Sequence, residues 1–154
     1  MILNAHWRQE IEDTFDGGNA INQLFREDRG EFLDTIWNLS LTAFDTPREI
    51  QVVIDSNNKL FIDYGSASFV SFKDNDSLTG MKLPIKCWIH THPFGHAYFS
   101  GTDMRTINTW KVHMLSAIVL GDGEHQLWMK PKPNQAKHIT YSKVKNIKLG
   151  DEEE

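Results

Sequence analysis

The chain has 154 residues, of which 40% are hydrophobic and 24% charged. This is ordinary globular composition, so it excludes collagen, a coiled-coil rod and wholesale disorder, and the length suits a single domain of ~100–200 residues. The net charge of −5 lacks the basic surplus that is typical of nucleic-acid-binding proteins, so we expect no nucleic-acid partner.

The N-terminal segment carries an apolar residue at every fourth position, which predicts an amphipathic helix. Gly17 and Gly18 then end it, so residues 1–20 form an N-terminal helical extension. Helical stripes usually pack on a protein's own core, and this is the interpretation we favour. The alternative is a partner or dimer contact through the same four residues, which are Leu3, Trp7, Ile11 and Phe15.

Residues 21–149 are predicted to form one domain that begins with a short strand, a helix and a pair of strands. The short strand covers residues 21–26. Asp28 and Glu31 resemble a capping box, and helical periodicity then continues to about Phe44. Two β-branched or alternating runs follow and predict strands over residues 50–54 and 60–64.

The second half of the domain predicts more strands around a single helix. An alternating stretch at residues 69–72 predicts an edge strand, and residues 85–92 predict a strand that leads into a loop over 94–101. A helix over 102–113 precedes a buried strand and its hairpin partner, at residues 115–120 and 126–130. Residues 139–149 are either a strand or a short helix, and 150–154 form an acidic tail. This order predicts an α/β fold with a mixed central sheet flanked by helices.

The hydropathy of the chain and the composition of its N-terminus indicate the cellular compartment. No apolar run approaches the ~18 residues that span a bilayer, and the segment from Met1 to Arg8 is too polar for a secretory signal. We therefore expect no membrane partner and a cytoplasmic protein. The single cysteine, Cys87, excludes an internal disulfide framework and a Cys-rich zinc knuckle, so a metal would need histidines and carboxylates.

The segment that indicates chemistry runs from Trp88 to Asp103. Residues two apart on a strand share a face, so His90 and His92 present two imidazoles side by side. Asp103 lies in the first turn of the following helix and supplies a third, anionic ligand. Three protein ligands leave one position for water, which is typical of a catalytic zinc site.

Further residues in and beside this segment have both a functional and a structural interpretation. The Ser100 hydroxyl, or backbone N–H groups beside it, would face an oxyanion that forms at the metal, although Ser-Gly-Thr-Asp is also a common helix cap. Cys87 alternates to the opposite face of the strand from the histidines, so we expect a buried apolar thiol. His96, Tyr98 and Phe99 would rim a groove for an extended peptide, although Phe99 could instead anchor the loop. We favour His96 as a rim residue over a ligand, because three ligands already suffice.

This segment resembles the signature of the JAMM (MPN-plus) zinc metallopeptidases. His90-Thr91-His92-Pro93 is followed after six residues by Ser100 and after two more by Asp103. The resemblance implies a cytidine-deaminase-like JAMM domain over roughly residues 21–130. It also implies that His90, His92 and Asp103 hold Zn²⁺ and that Ser100 stabilises the tetrahedral intermediate.

The family's general base is a glutamate between the first core helix and the next strand. Glu49 occupies that place here, and by resemblance it would take a proton from water and return it to the leaving amine. Glu31, at the opposite end of the predicted helix, is the rival. The strand after Glu49 lacks the glycines that family members often carry.

By this resemblance the protein is an isopeptidase or peptidase that hydrolyses an amide bond at the C-terminal tail of a ubiquitin-like protein. An edge strand such as residues 69–72 would accept an extended tail by β-augmentation. One alternative is a non-catalytic scaffold within a protein complex. Another is a zinc hydrolase that acts on a different peptide or on a sulfur-carrier adduct.

Overall fold

The computed structural model describes residues 1–17, 19, 29–65, 80–131 and 140–142. Three α-helices are present in these ranges: α1 (Trp7–Asp13), α2 (Gly30–Thr42) and α3 (Gly101–Trp110), the last followed by a 3₁₀ turn (Lys111–His113). The strands are β1 (Ile50–Ile54), β2 (Leu60–Tyr64), β3 (Cys87–Thr91), β4 (Ser116–Gly121), β5 (Glu124–Met129) and β6 (Thr140–Ser142). The fold is therefore mixed α/β, as the sequence predicts.

The strands form one mixed sheet in the order β2-β1-β3-β4-β5-β6. Strands β3 and β4 pair in parallel, and every other neighbouring pair is antiparallel. Because a parallel pair needs a crossover, α3 lies between β3 and β4 in the chain. This connection brings the loop after β3 and the start of α3 to the carboxyl end of β3, where the histidines lie.

Side-chain alternation along the strands produces a core on each face of the sheet. One core contains Cys87 and Ile89 of β3 and packs against α1 and α2. The other contains Trp88 of β3 and the Ile107 side chain of α3. Helices thus flank the sheet on both faces.

The N-terminal helix α1 contributes directly to the first of these cores. Trp7 and Ile11 are fully buried there, and Phe15 packs partly against the same cluster. Leu3 is 62% exposed, so it is the one exposed residue of the stripe. Packing on the chain's own core therefore accounts for the centre of the stripe, and a partner contact stays a prediction.

Several predicted segments lie outside the described residues: the strand at 21–26, the capping residue Asp28, the edge strand at 69–72 and the tail at 150–154. Of residues 139–149, the structure describes 140–142, which form β6. Among the described residues, no helix combines the length and apolarity needed to cross a bilayer.

Candidate metal centre

The three predicted ligands converge at the carboxyl end of β3. Asp103 Oδ2 lies 3.0 Å from His90 Nε2 and 3.1 Å from His92 Nε2. One donor atom from each residue falls within 4.8 Å of the other two. Tetrahedral zinc with ligand distances of ~2.0–2.1 Å would separate two donors by ~3.3–3.4 Å, so small shifts of these side chains would admit the ion.

The start of α3 fixes the Asp103 carboxylate. Ser100 is the N-cap of the helix, and its hydroxyl accepts a hydrogen bond from the Asp103 backbone N–H at 3.0 Å. In return, Asp103 Oδ2 accepts from the Ser100 backbone N–H at 3.0 Å. This reciprocal capping box confirms the helix-cap interpretation of Ser100. A hydroxyl that accepts in this way keeps its hydrogen for donation.

The His90 ring is enclosed by aromatic and amide groups. It stacks on Trp88, with ring centroids 4.4 Å apart and an interplanar angle of 14°. The Trp88 indole N–H in turn donates to Gln51 Oε1 at 2.8 Å, and Gln51 lies opposite His90 in the β1–β3 register. These contacts restrict the rotation of the imidazole, which is 1% exposed.

The His90 nitrogens also provide a test of whether a cation fits. By strict geometry neither ring nitrogen makes a hydrogen bond within the described residues, although the Asp103 carboxylate and the Ile118 backbone are close enough to act on the His90 pKa. Nε2 is close to Asp103 Oδ2 in distance but not aligned for a hydrogen bond. Buried polar atoms without partners are rare and call for an explanation such as a missing ion. A divalent cation between His90 Nε2 and Asp103 Oδ2 would give this nitrogen a partner. The residues therefore fit a metal, whose identity the donor set alone does not fix.

The protonation states of these ligands favour metal binding. Burial lowers the pKa of His90 and outweighs the opposing influence of Asp103, so the imidazole is neutral near pH 7. Burial opposes ionisation of Asp103, but the two imidazoles and the Ser100 N–H outweigh it, and the pKa of this carboxyl lies well below its usual value. Neutral imidazole and ionised carboxylate are the forms that bind metals.

Glu49 lies beside the ligands, at the residue before β1. It lines a cleft of about 390 Å³ together with His92, Ser100 and Asp103. Burial and the negative charge of Asp103 raise its pKa to about 8. Glu31 is exposed in the first turn of α2 and is not among the residues that line this cleft. The structure therefore places Glu49, and not its rival, at the site.

The loop over residues 92–100, which we call the cleft loop, forms the other wall. Phe94 and Tyr98 are 67% and 54% exposed, and the Tyr98 and His92 rings form a T-shaped contact with their centroids 5.0 Å apart. Phe99 instead packs partly against the core beside α3. Of the two aromatic residues that the sequence singles out, Tyr98 thus rims the cleft and Phe99 anchors its loop. His96 is an exposed rim residue 3.5 Å from the carboxylate of Glu124.

Contacts from the β4–β5 hairpin hold the cleft loop in place, and the sequence alone did not indicate them. Glu124 Oε2 accepts from the Ala97 N–H at 2.8 Å, and the Asp122 N–H donates to Gly95 O at 3.0 Å. At Gly121, a Cβ atom would overlap the backbone of the loop. The sequence signal for Gln51, also missed, is a lone amide inside an otherwise apolar strand.

Cys87 is buried on the opposite face of β3 from the histidines, as predicted. Burial raises the pKa of its thiol to about 12, so it remains protonated and does not act as a ligand. The described residues that assemble at the site are therefore the three predicted ligands together with Glu49 and Ser100.

Comparisons with protein-family models, with curated proteins and with solved structures found no match to this chain.

Proposed function

We propose that this protein is a zinc-dependent hydrolase of amide bonds, with the cytidine-deaminase-like fold and the chemistry of the JAMM metallopeptidases that its sequence resembles. One observation carries the proposal. Two imidazoles and a carboxylate converge beside a cleft that His92 and Asp103 line, and the buried Glu49 lines that same cleft. A structural metal site has no need of such a glutamate, whereas hydrolysis requires a group that moves a proton.

Each residue at the site has a distinct task in this proposal. His90, His92 and Asp103 would hold the ion. Bound zinc would supply the Lewis acidity that acidifies water and polarises an amide carbonyl. Glu49 accepts the proton of the attacking water and delivers it to the nitrogen of the leaving amine.

Ser100 and the cleft loop act on the substrate. The Ser100 hydroxyl, which accepts from Asp103 N–H through oxygen, donates its hydrogen to the oxyanion of the tetrahedral intermediate. Phe94 and Tyr98 border the cleft with exposed aromatic surface, which suits contact with an extended polypeptide.

The substrate that the resemblance favours is the C-terminal tail of a ubiquitin-like protein, joined through an amide or isopeptide bond. Such tails are extended, and an extended chain fits an open cleft better than the surface of a folded protein does. Another peptide, or a sulfur-carrier adduct, is the alternative substrate for the same chemistry. Comparing a ubiquitin-like fusion with short peptides separates these classes, because equal rates on both would contradict tail recognition.

The decisive experiment compares wild-type protein with Glu49→Gln. We expect about one zinc per chain in both proteins by elemental analysis, and amide hydrolysis in the wild type alone. Loss of a general base typically costs ~10²–10⁴-fold in rate. Turnover retained in Glu49→Gln would place the base elsewhere, with Glu31→Gln as the next variant. Absence of stoichiometric metal in the wild type would instead favour a non-catalytic scaffold.

A further inference from the structure

Thr91 lies between the two histidines at the end of β3 and is fully buried. Its side-chain hydroxyl accepts a hydrogen bond from the backbone N–H of Ile50 at 3.0 Å. Ile50 is the first residue of β1 and directly follows Glu49. A single side chain therefore connects the strand that carries the ligands to the residue next to the proposed base.

This hydrogen bond occurs where β1 and β3 stop pairing through their backbones. The last paired residues are Gln51 and His90, and the same register would next place Ile50 opposite Thr91. The Ile50 N–H bonds to the Thr91 hydroxyl instead. The Thr91 hydroxyl thus links β1 and β3 one residue beyond the end of their backbone pairing, next to Glu49.

The peptide unit between Glu49 and Ile50 is held from both sides. Its N–H donates to Thr91, and its carbonyl accepts from the Gly65 N–H at 3.0 Å. Because a peptide unit is planar and rigid, two hydrogen bonds in opposite directions fix its position and orientation. The Cα atom of Glu49 belongs to that unit, so its carboxylate starts from a fixed point.

We propose that Thr91 is a positioning residue for Glu49: its hydroxyl sets the distance between the general base and the histidine ligands on either side of Thr91. This inference rests on the proposed function, since it assigns Thr91 to the same reaction. Thr91 acts through the backbone of β1 and does not touch the substrate. Its residue type follows from this role, because the position needs a small hydroxyl that is compatible with a buried strand.

The test removes the acceptor while it preserves the shape of the side chain. Thr91→Val replaces the hydroxyl by a methyl group, and Thr91→Ser restores the hydroxyl without the methyl group. Ser116→Ala is the matched control, because Ser116 is also a buried strand residue whose hydroxyl bonds to a backbone atom, the carbonyl of Lys86 at 2.6 Å. Zinc content, kcat and KM on one ubiquitin-like fusion, and amide exchange at Ile50 are measured for all four proteins.

For Thr91→Val we expect kcat to fall about 100-fold, the loss typical of a misplacement of about 1 Å, with KM and zinc content unchanged. Exchange of the Ile50 amide should accelerate, because its acceptor is gone. Thr91→Ser should recover most of kcat and the Ile50 protection. Ser116→Ala should keep wild-type kcat. If Thr91→Val does not fold, Thr91→Cys offers the same comparison, since a thiol is a weak acceptor.

The outcomes separate this inference from the proposed function. A wild-type protein that binds zinc but hydrolyses no amide substrate overturns both. Wild-type kcat in Thr91→Val, with hydrolysis intact in the parent, overturns the positioning role alone. Loss of zinc in Thr91→Val, or an equal fall of kcat in Ser116→Ala, would also overturn it, because the effect would then come from the ligands or from general destabilisation.

Discussion

Glu49→Gln should make the metal-free protein more stable, by an amount that grows with pH. Burial and the charge of Asp103 raise the pKa of Glu49 from 4.5 to about 8. The folded protein therefore binds this proton more tightly than the unfolded chain does. Stability from this group is fully present below pH 4.5 and is lost as the pH rises towards 8. Glutamine does not titrate, so the variant avoids the loss.

The magnitude follows from the separation of the two pKa values, at about 1.4 kcal/mol per pKa unit. Ionisation of Glu49 costs the folded state roughly 1 kcal/mol at pH 5 and roughly 3 kcal/mol at pH 7. The wild type should therefore lose roughly 2–3 kcal/mol of stability relative to Glu49→Gln between these two pH values. For a protein of this size, that corresponds to roughly 5–10 °C in Tm.

The assay is denaturant unfolding of both metal-free proteins, followed by tryptophan fluorescence between pH 5 and pH 8. The pKa of His90 is lowered in the folded protein, so His90 destabilises both proteins as the pH falls below the pKa of histidine in the unfolded chain. This effect is the same in both proteins and cancels in the difference between their free energies of unfolding. Addition of zinc should reduce the difference in stability between the wild type and Glu49→Gln, because a nearby dication favours the Glu49 carboxylate. A difference in stability between the two proteins that stays constant from pH 5 to pH 8 would refute the argument that Glu49 is buried next to a second carboxylate.

Three further predictions concern the ligands, the cleft loop and the N-terminal helix. Asp103→Ala should reduce zinc from about one ion per chain to near zero by elemental analysis; stoichiometric zinc in this variant would contradict the assigned ligand set. Gly121→Ala should cost about 1–3 kcal/mol in denaturant unfolding, because the new methyl group meets the backbone of the cleft loop. Gly95→Ala, where a Cβ has open space, is its control, and equal effects would argue against the close approach. Ile11→Ala should cost about 2–5 kcal/mol, whereas exposed Leu3→Ala should change stability by less than about 0.5 kcal/mol; a small effect at Ile11 would mean that α1 is not part of the core.

The convergence of His90, His92 and Asp103 was predictable because it depends on local geometry. Two-residue alternation on a strand puts His90 and His92 on one face, and a Ser-x-x-Asp helix start fixes Asp103 within one turn. The bounds of β1 and β2 also match the predicted strands at residues 50–54 and 60–64. Short-range backbone geometry determines all of these features, so sequence spacing is sufficient to infer them.

The surroundings of the ligands were not predictable, because they depend on residues far apart in the chain. Gln51 meets the Trp88 indole across 37 positions. Arg29 donates to the carbonyl oxygen of Gly121 across 92 positions. The raised pKa of Glu49 likewise depends on burial and on a charge brought close by folding. No periodicity or motif in the sequence encodes these pairings, which follow from how the sheet and helices assemble.

The same oxygen of Asp103 caps the first turn of α3 and faces both imidazoles. Both requirements together restrict which residue types the position tolerates. Histidine would still donate electrons to a cation, but it would give up the acceptor that the Ser100 amide requires. Glutamate could still cap a helix, but its extra methylene would carry the carboxylate past the point where the rings meet. The helix cap therefore requires an acidic side chain of this length, and the same requirement determines which group faces the two imidazoles.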